Sequence, residues 1–443
     1  MGAHAAGGPD AAGGVNVTRA ADRADAAPHV GALPAGPLCS IADVAGVTVG
    51  HATLDSGGVQ TGVSVVRPHA GDVYRDKVPA AAAVINGFGK SVGLVQLDEL
   101  GVLETPLALT NTFGVAALAH AQIRAAIDAN PQIGRAWPTV NPLVFECNDG
   151  YLNDQHAFAV TPEHYAQALA DARPGFARGA VGAGRGMSCF DLKGGIGSAS
   201  RVARAAGESW TVGALVLANF GRLPMLTIDG VPVGRMIAAR DAGGAQATAG
   251  GQGAGAARDD AGTGGTGGTG GTGGMGRAGD AAHDAGDCAN ARANSGAAGG
   301  LAPDAAAARP DAPPPEQGSI IMLVATDAPL SSRQLRRVAL RAAAGLARTG
   351  SVYGHGSGDI ALAFSTAYTV PHDAERIALP ALVADAALDP LFAAAADSVE
   401  QAIVDALWRA TSVVGRDGHA RRALRDAAPE VERWMRASRE ANR

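Results

Sequence analysis

The dipeptide Gly318-Ser319 carries the plainest chemistry in the chain. A hydroxyl residue opens the apolar run Ser319-IIMLVA, just after a long stretch rich in Ala, Gly, Thr and Pro. That is the layout of a nucleophile released by self-cleavage. Breaking the 318–319 bond gives Ser319 a free α-amine beside its own hydroxyl, and such an amine can act as the hydroxyl's general base. Read alone, the pair also fits an ordinary linker that ends where a strand begins, because Gly and Ser are common boundary residues.

Other short motifs do not survive inspection. Gly89-Lys90-Ser91 resembles the end of a phosphate-binding loop, but that pattern needs a glycine where Val84 stands. Gly182-Ala-Gly184-Arg-Gly186 lacks the dinucleotide spacing and the acidic residue that should follow. No HExxH occurs and the eleven His are scattered, so neither a metal nor an organic cofactor is expected. Asn219, closing the run ALVLA, is by itself an ordinary turn residue.

The elements that must position Ser319 are legible on both sides of it. Val-rich pieces near 40–66, the run Ala80–Ile85 ending at Asn86-Gly87, and Trp210–Ala218 read as strands. Phe113 to Ala129 has helical apolar spacing, and Pro162–Ala172 reads as a second helix. After Ser319 the order is a strand to Thr326, a helix capped by Ser331 with Gln334 and stopped at Gly350, and a strand over Ile360–Ala367. A long helix from Asp389 to about Val414 and an amphipathic terminal helix follow. Residues 1–37 read as a disordered tail. Residues 240–318 read as a low-complexity flexible insert, with TGGTGGTGGTGG at its centre, because such composition buries too little apolar area to offset ordering. Strands interleaved with helices across that insert imply one layered α/β domain, not two domains.

Bulk properties narrow the function classes. The chain has 443 residues, a net charge of −6 and 47% hydrophobic residues. Mild acidity without a basic stripe argues against nucleic acid. Cys39, Cys147, Cys189 and Cys288 are far apart, which argues against zinc and disulfide frameworks. No run of about 18 apolar residues occurs, and the first residues lack a secretory pattern. The expectation is a cytoplasmic protein with no membrane partner.

Longer strings carry a family resemblance. They are Ile85-NGFGKSVGLVQLDELG, Leu109-TNTFGV, Glu146-CNDGYLND, Gly186-MSCFDLKGGIGSASR, Val212-GALVLANFG, Gly318-SIIMLVATDAPL and Gly356-SGDIALAFSTA. In content and order they resemble the DmpA-type aminopeptidases, a family of L-aminopeptidase/D-amidase/esterases and β-peptidyl aminopeptidases. The resemblance covers roughly residues 40–238 and 317–415. It implies an αββα four-layer sandwich like that of N-terminal-nucleophile hydrolases but with different strand connectivity. It also implies a precursor cut at Gly318-Ser319, so that 38–239 belongs to an α chain and 319–443 forms a β chain, with homo-oligomers, often tetramers, of the αβ unit. Ser319 then matches the nucleophile and Asn219 the oxyanion donor. Tyr151 matches a residue at the mouth of the site, and Ser357 with Asp359 a polar pair orienting the nucleophile and its amine. Lys193 matches a basic residue close to the nucleophile. Glu146 is the candidate carboxylate for the substrate's free amine, which an aminopeptidase must recognise.

The implied activity is release of N-terminal residues from short peptides, amides or esters through an acyl-enzyme on Ser319. The alternatives are an ω-amide or nylon-oligomer hydrolase, or an acyltransferase of related architecture. Two features depart from the family pattern: the length of the stretch Arg240 to Gln317, and His355 before Gly356-Ser357.

Overall fold

Two β-sheets lie face to face, and the alternation of side chains along their strands decides what each face covers. The computed structural model describes residues 26–250 and 317–441. In the first sheet, β1 (Thr48–Ser56) and β2 (Val59–Arg67) form an antiparallel hairpin. β2 continues to β4 (Leu107–Asn111), which runs parallel to β5 (Val144–Cys147). The second sheet contains β3 (Asp76–Gly87), β6 (Gly195–Ala205), β7 (Glu208–Asn219), β8 (Gln317–Thr326) and β9 (Gly356–Ser365). Its order is β3-β9-β8-β7-β6, with β8 and β9 parallel and the other neighbours antiparallel. Short strands Val102–Leu103 and Val370–Pro371 pair with β3.

Period-two patterning sorts these strands into layers. Leu215, Leu217, Ile321, Leu323, Ile360 and Leu362 of the second sheet pack against Val49, Val66, Leu107, Leu109 and Phe145 of the first. The alternate residues Val216, Ala218, Ile320, Met322 and Val324 face helices α4 (Ser332–Arg348) and α5 (Asp389–Arg409). On the far side, Ala52, Val63, Val65 and Ala108 face α1 (Val115–Ala129) and α2 (Pro162–Ala170). The expected αββα sandwich is the fold.

The capping box foreseen at Ser331 and Gln334 is present, and helix α4 ends before Gly350 at a φ of 105°. Other expectations need correction. α5 stops at Arg409, not near Val414, because Ala410 turns extended and Val413–Val414 pairs with Ala420–Arg421. β9 starts at Gly356, earlier than expected, so Ser357 and Asp359 are strand residues. α3 (Val233–Gly250) carries order past 240, and Arg240 of that helix pairs with Glu430. The N-terminal tail is seated from about residue 28. Val30 is 1% exposed, its N–H donates to Gln401, and its carbonyl accepts from the buried Arg201. A guanidinium buried without such partners is costly, so the tail is held by a polar tie that composition does not reveal. The remainder of the insert and of the tail lies outside the described residues, as does Cys288.

β6 approaches α5 closely. A Cβ on Gly197 would lie 1.9 Å from the Ala402 carbonyl oxygen, and close-packed layers do not yield without cost. Gly197→Ala is expected to lose about 1–3 kcal/mol. Thermal unfolding should show a melting temperature several degrees below wild type.

Candidate active site

β8 brings Ser319 to the end of the inter-sheet space. Ser319 shares its face of the strand with Ile321 and Leu323, so its side chain is turned toward the first sheet. It is 3% exposed. Its hydroxyl donates to the Gly318 carbonyl at 2.8 Å, and the Gly358 N–H donates to Ser319 Oγ at 3.3 Å. The Ser319 hydroxyl therefore lies against the peptide carbonyl that precedes it. Gly318 has a φ of 135°, and a Cβ there would meet the Asn219 carbonyl oxygen at 2.1 Å. Both facts require glycine at this position.

Asn219 is the register partner of Ser319 across the β7–β8 ladder. Its side-chain amide is held at both ends: Oδ1 accepts from Ser188 N at 2.8 Å, and Nδ2 donates to the Asn148 carbonyl at 2.9 Å. A primary amide has two protons, so one remains able to meet an oxyanion formed beside Ser319. On the other flank, parallel pairing sets Gly318 opposite Ser357. Ser357 Oγ donates to Asp359 Oδ1 at 2.5 Å, and both residues are fully buried. Asn86, expected only as a turn signal, ties this corner: its Nδ2 donates to the carbonyls of Ser357 and Gly354.

Glu146 closes one wall. It is 2% exposed, and its carboxylate accepts from Lys90 N at 2.8 Å and from Thr112 Oγ1 at 2.5 Å. Tyr151 stands at the rim, 39% exposed, stacked on His419 with ring centres 4.8 Å apart. The Arg421 guanidinium lies over the other side of the ring, 3.6 Å from its centre. These groups line a cleft of about 510 Å³ that contains Ser319, Asn219, Glu146 and Tyr151 together. A larger hollow of about 820 Å³ beside Tyr74, Lys77 and His372 holds none of them, so chemistry, not size, selects the site.

Lys193, like Ser357 and Asp359, is fully buried and absent from the cleft wall. Its ammonium donates to the carbonyls of Gly184, Met187 and Gly194 at 2.8–2.9 Å. Burial pulls its pKa down to about 7, yet three acceptors match the three protons of the charged form. Lys193 thus braces the loop that carries Ser188, and Ser188 in turn holds Asn219. Sequence reasoning missed Arg421, Asp191, Arg222, Ser188, Asn148 and Thr112, which also line the cleft. Most of them stood inside the quoted strings, but nothing in those strings says which side chains converge.

A nucleophile heading a central strand between two helix-covered sheets is the arrangement of N-terminal-nucleophile serine hydrolases that act on peptide bonds. The chain belongs to peptidase family S58, whose model matches residues 39–421. It is 35% identical over 393 residues to the β-peptidyl aminopeptidase BapA of Sphingosinicella microcystinivorans, covering 86% of this chain and 84% of that one. Among solved structures, a protein from Pyrococcus horikoshii OT3 superposes with a TM-score of 0.73 at 39% identity, covering 92% of this chain and 97% of that one. The L-aminopeptidase D-Ala-esterase/amidase of Ochrobactrum anthropi superposes with a TM-score of 0.69 at 30% identity, covering 93% and 99%. That enzyme is described as a prototype of the serine aminopeptidases and a new variant of the Ntn hydrolase fold.

Removing the Asn219 amide should lower kcat by about 10²–10³-fold, the usual loss for one oxyanion donor. Steady-state kinetics of Asn219→Ala, with a smaller change in KM, would match this expectation.

Proposed function

We propose that this chain is an aminopeptidase that cuts itself between Gly318 and Ser319 and then acts on short peptides, amides or esters with a free amino end. The observation that carries the reading is Ser319 Oγ held 2.8 Å from the Gly318 carbonyl oxygen, next to a fixed amide donor. In the precursor, Oγ attacks the Gly318 carbonyl carbon and the C–N bond breaks. Gly318 is then esterified to Ser319, whose nitrogen has become a free amine. Water hydrolyses the ester and leaves Gly318 as a carboxylate.

In the processed enzyme the α-amine of Ser319 takes the Oγ proton as Oγ attacks the substrate carbonyl. Asn219 donates to the oxyanion, with Tyr151 assisting at the mouth. The Ser357–Asp359 pair orients the nucleophile and its amine, and Lys193 supports the loop behind Asn219. The proton passes to the leaving amine, and water then deacylates Ser319. Glu146 receives the substrate's own amine. A buried carboxylate in the cleft wall favours such substrates over ω-amides that lack that cation.

This reading makes 38–239 the α-chain part of the domain, 240–318 the segment that ends at the cleavage site, and 319–443 the β chain. We place the enzyme in the cytoplasm as a homo-oligomer of αβ units, tetrameric by family likeness. The described cysteines Cys39 and Cys147 are free thiols, in keeping with a reducing compartment.

Intact mass spectrometry tests the core of the reading. The wild type should resolve into two chains, the smaller starting at Ser319, whereas Ser319→Ala should remain one uncut chain; an uncut wild type overturns self-processing. The amine base also sets a pH dependence. A protonated amine cannot accept the Oγ proton, so kcat/KM should climb as pH rises through about 7.7–8.0, the ordinary range of an α-amine. A flat profile across that range would rule the amine out as base.

A further inference from the structure

The cleft is electrically asymmetric, and one part of that asymmetry has no role in the chemistry above. Glu146 lies at the wall formed by Lys90 and Thr112. Beyond Asn219 and Ser188, the wall is formed by Arg421, Arg222 and Asp191. Asp191 pairs with both guanidiniums there, 3.3 Å from Arg222 and 3.7 Å from Arg421. Two guanidiniums thus stand in this wall of the cleft.

Arg421 is held in place yet not saturated. Its ring contact with Tyr151 and the bond from Nε to Ser188 Oγ at 3.2 Å fix the plane of the guanidinium. At 3.7 Å, Asp191 is an ion-pair partner beyond hydrogen-bond length. Among the described residues, no hydrogen bond engages the terminal N–H groups of Arg421, although its side chain is only 17% exposed. A planar guanidinium pre-oriented in this way matches a carboxylate, which it can grip with two parallel hydrogen bonds.

We propose that Arg421 is a specificity residue that receives a carboxylate on the leaving-group side of the scissile bond. The inference rests on the aminopeptidase reading above. With the substrate amine at Glu146 and its carbonyl at Ser319, the leaving amine lies past the nucleophile, toward the wall that Arg421 shares with Ser188. A dipeptide carries a carboxylate there as its free C-terminus. A longer peptide carries one only on an acidic side chain. The favoured substrate class is therefore a short zwitterionic peptide, amine at one end of the cleft and carboxylate at the other.

The test uses the self-processed enzyme and one acyl residue, whichever of alanine and β-alanine it releases faster from a p-nitroanilide. Three further substrates join that residue to alanine, to alaninamide and to aspartic acid α-amide. The dipeptide acid should exceed its amide in kcat/KM by roughly ten-fold or more, the effect of a charged hydrogen-bonded pair, mostly through KM. In Arg421→Gln the acid-to-amide ratio should collapse to about one, and Arg421→Lys should restore part of it. Equal turnover of acid and amide by the wild type, or a ratio unchanged in Arg421→Gln, overturns the proposal. A preference for the aspartyl amide matching that for the dipeptide acid would move the carboxylate from the chain end to a side chain, and so overturn the dipeptide class while keeping Arg421 as its receptor. If the wild type releases no p-nitroaniline at all, the aminopeptidase reading falls with it. If it does so but ignores the carboxylate, only the role of Arg421 falls.

Discussion

Asn219 and Ser319 meet because β7 and β8 end in register, and that register is fixed well away from the site. Leu215 and Leu217 lie opposite Leu323 and Ile321 in the ladder, and all four are buried between the sheets. A slip of β8 by one residue would turn Ile321 and Leu323 toward the helices and bring Ile320 and Met322 into the inter-sheet core. It would also swing Ser319 away from Asn219's face. The apolar pattern of two central strands thus aims the nucleophile, and the polar groups around it only refine what that pattern dictates. Gly318 shows how tight the arrangement is, since its backbone passes so close to the Asn219 carbonyl that no side chain fits.

The sequence was readable where structure is local. Alternation announced β7 and β8, a capping box announced α4, and a Gly-Ser junction before an apolar run marked the start of β8. The strings resembling the family singled out Asn219, Ser357 and Asp359, and the ladder sets Asn219 opposite Ser319 and Ser357 opposite Gly318. What stayed hidden depends on contacts between distant segments. Val30 is seated by Gln401 and Arg201, so the described end of an Ala/Gly-rich tail that looked unable to order itself is ordered by others. Arg421 joins Tyr151 and Ser188 only after the chain has folded back across the end of the sandwich. No spacing rule reports such a meeting.

Lys193 illustrates a different gap. A lysine beside a catalytic string invites a chemical role, but the residue is consumed by three carbonyls of its own loop. Its ammonium fastens the loop, and Ser188 of that loop holds the side chain of Asn219. Asn86 works in the same way on the opposite flank, holding the backbone that presents Ser357. The nucleophile is flanked by two braced corners, each built from a polar side chain satisfied by backbone carbonyls. Buried polar groups satisfied in this way rigidify their surroundings.

The sheet order has a consequence for the fate of a cut chain. β8 and β9, which follow the proposed break, lie side by side in the middle of the second sheet, with β3 on one side and β7 and β6 on the other. All three of those flanking strands precede the break. The two pieces are therefore interleaved, strand against strand, and share the same cores. Neither could leave without unzipping the centre of the sheet. Severing one peptide bond would change little in the native state, yet it would turn any later refolding from a single-chain event into the reassembly of two partners. Such an enzyme folds once as a precursor, and afterwards its persistence rests on how slowly it opens.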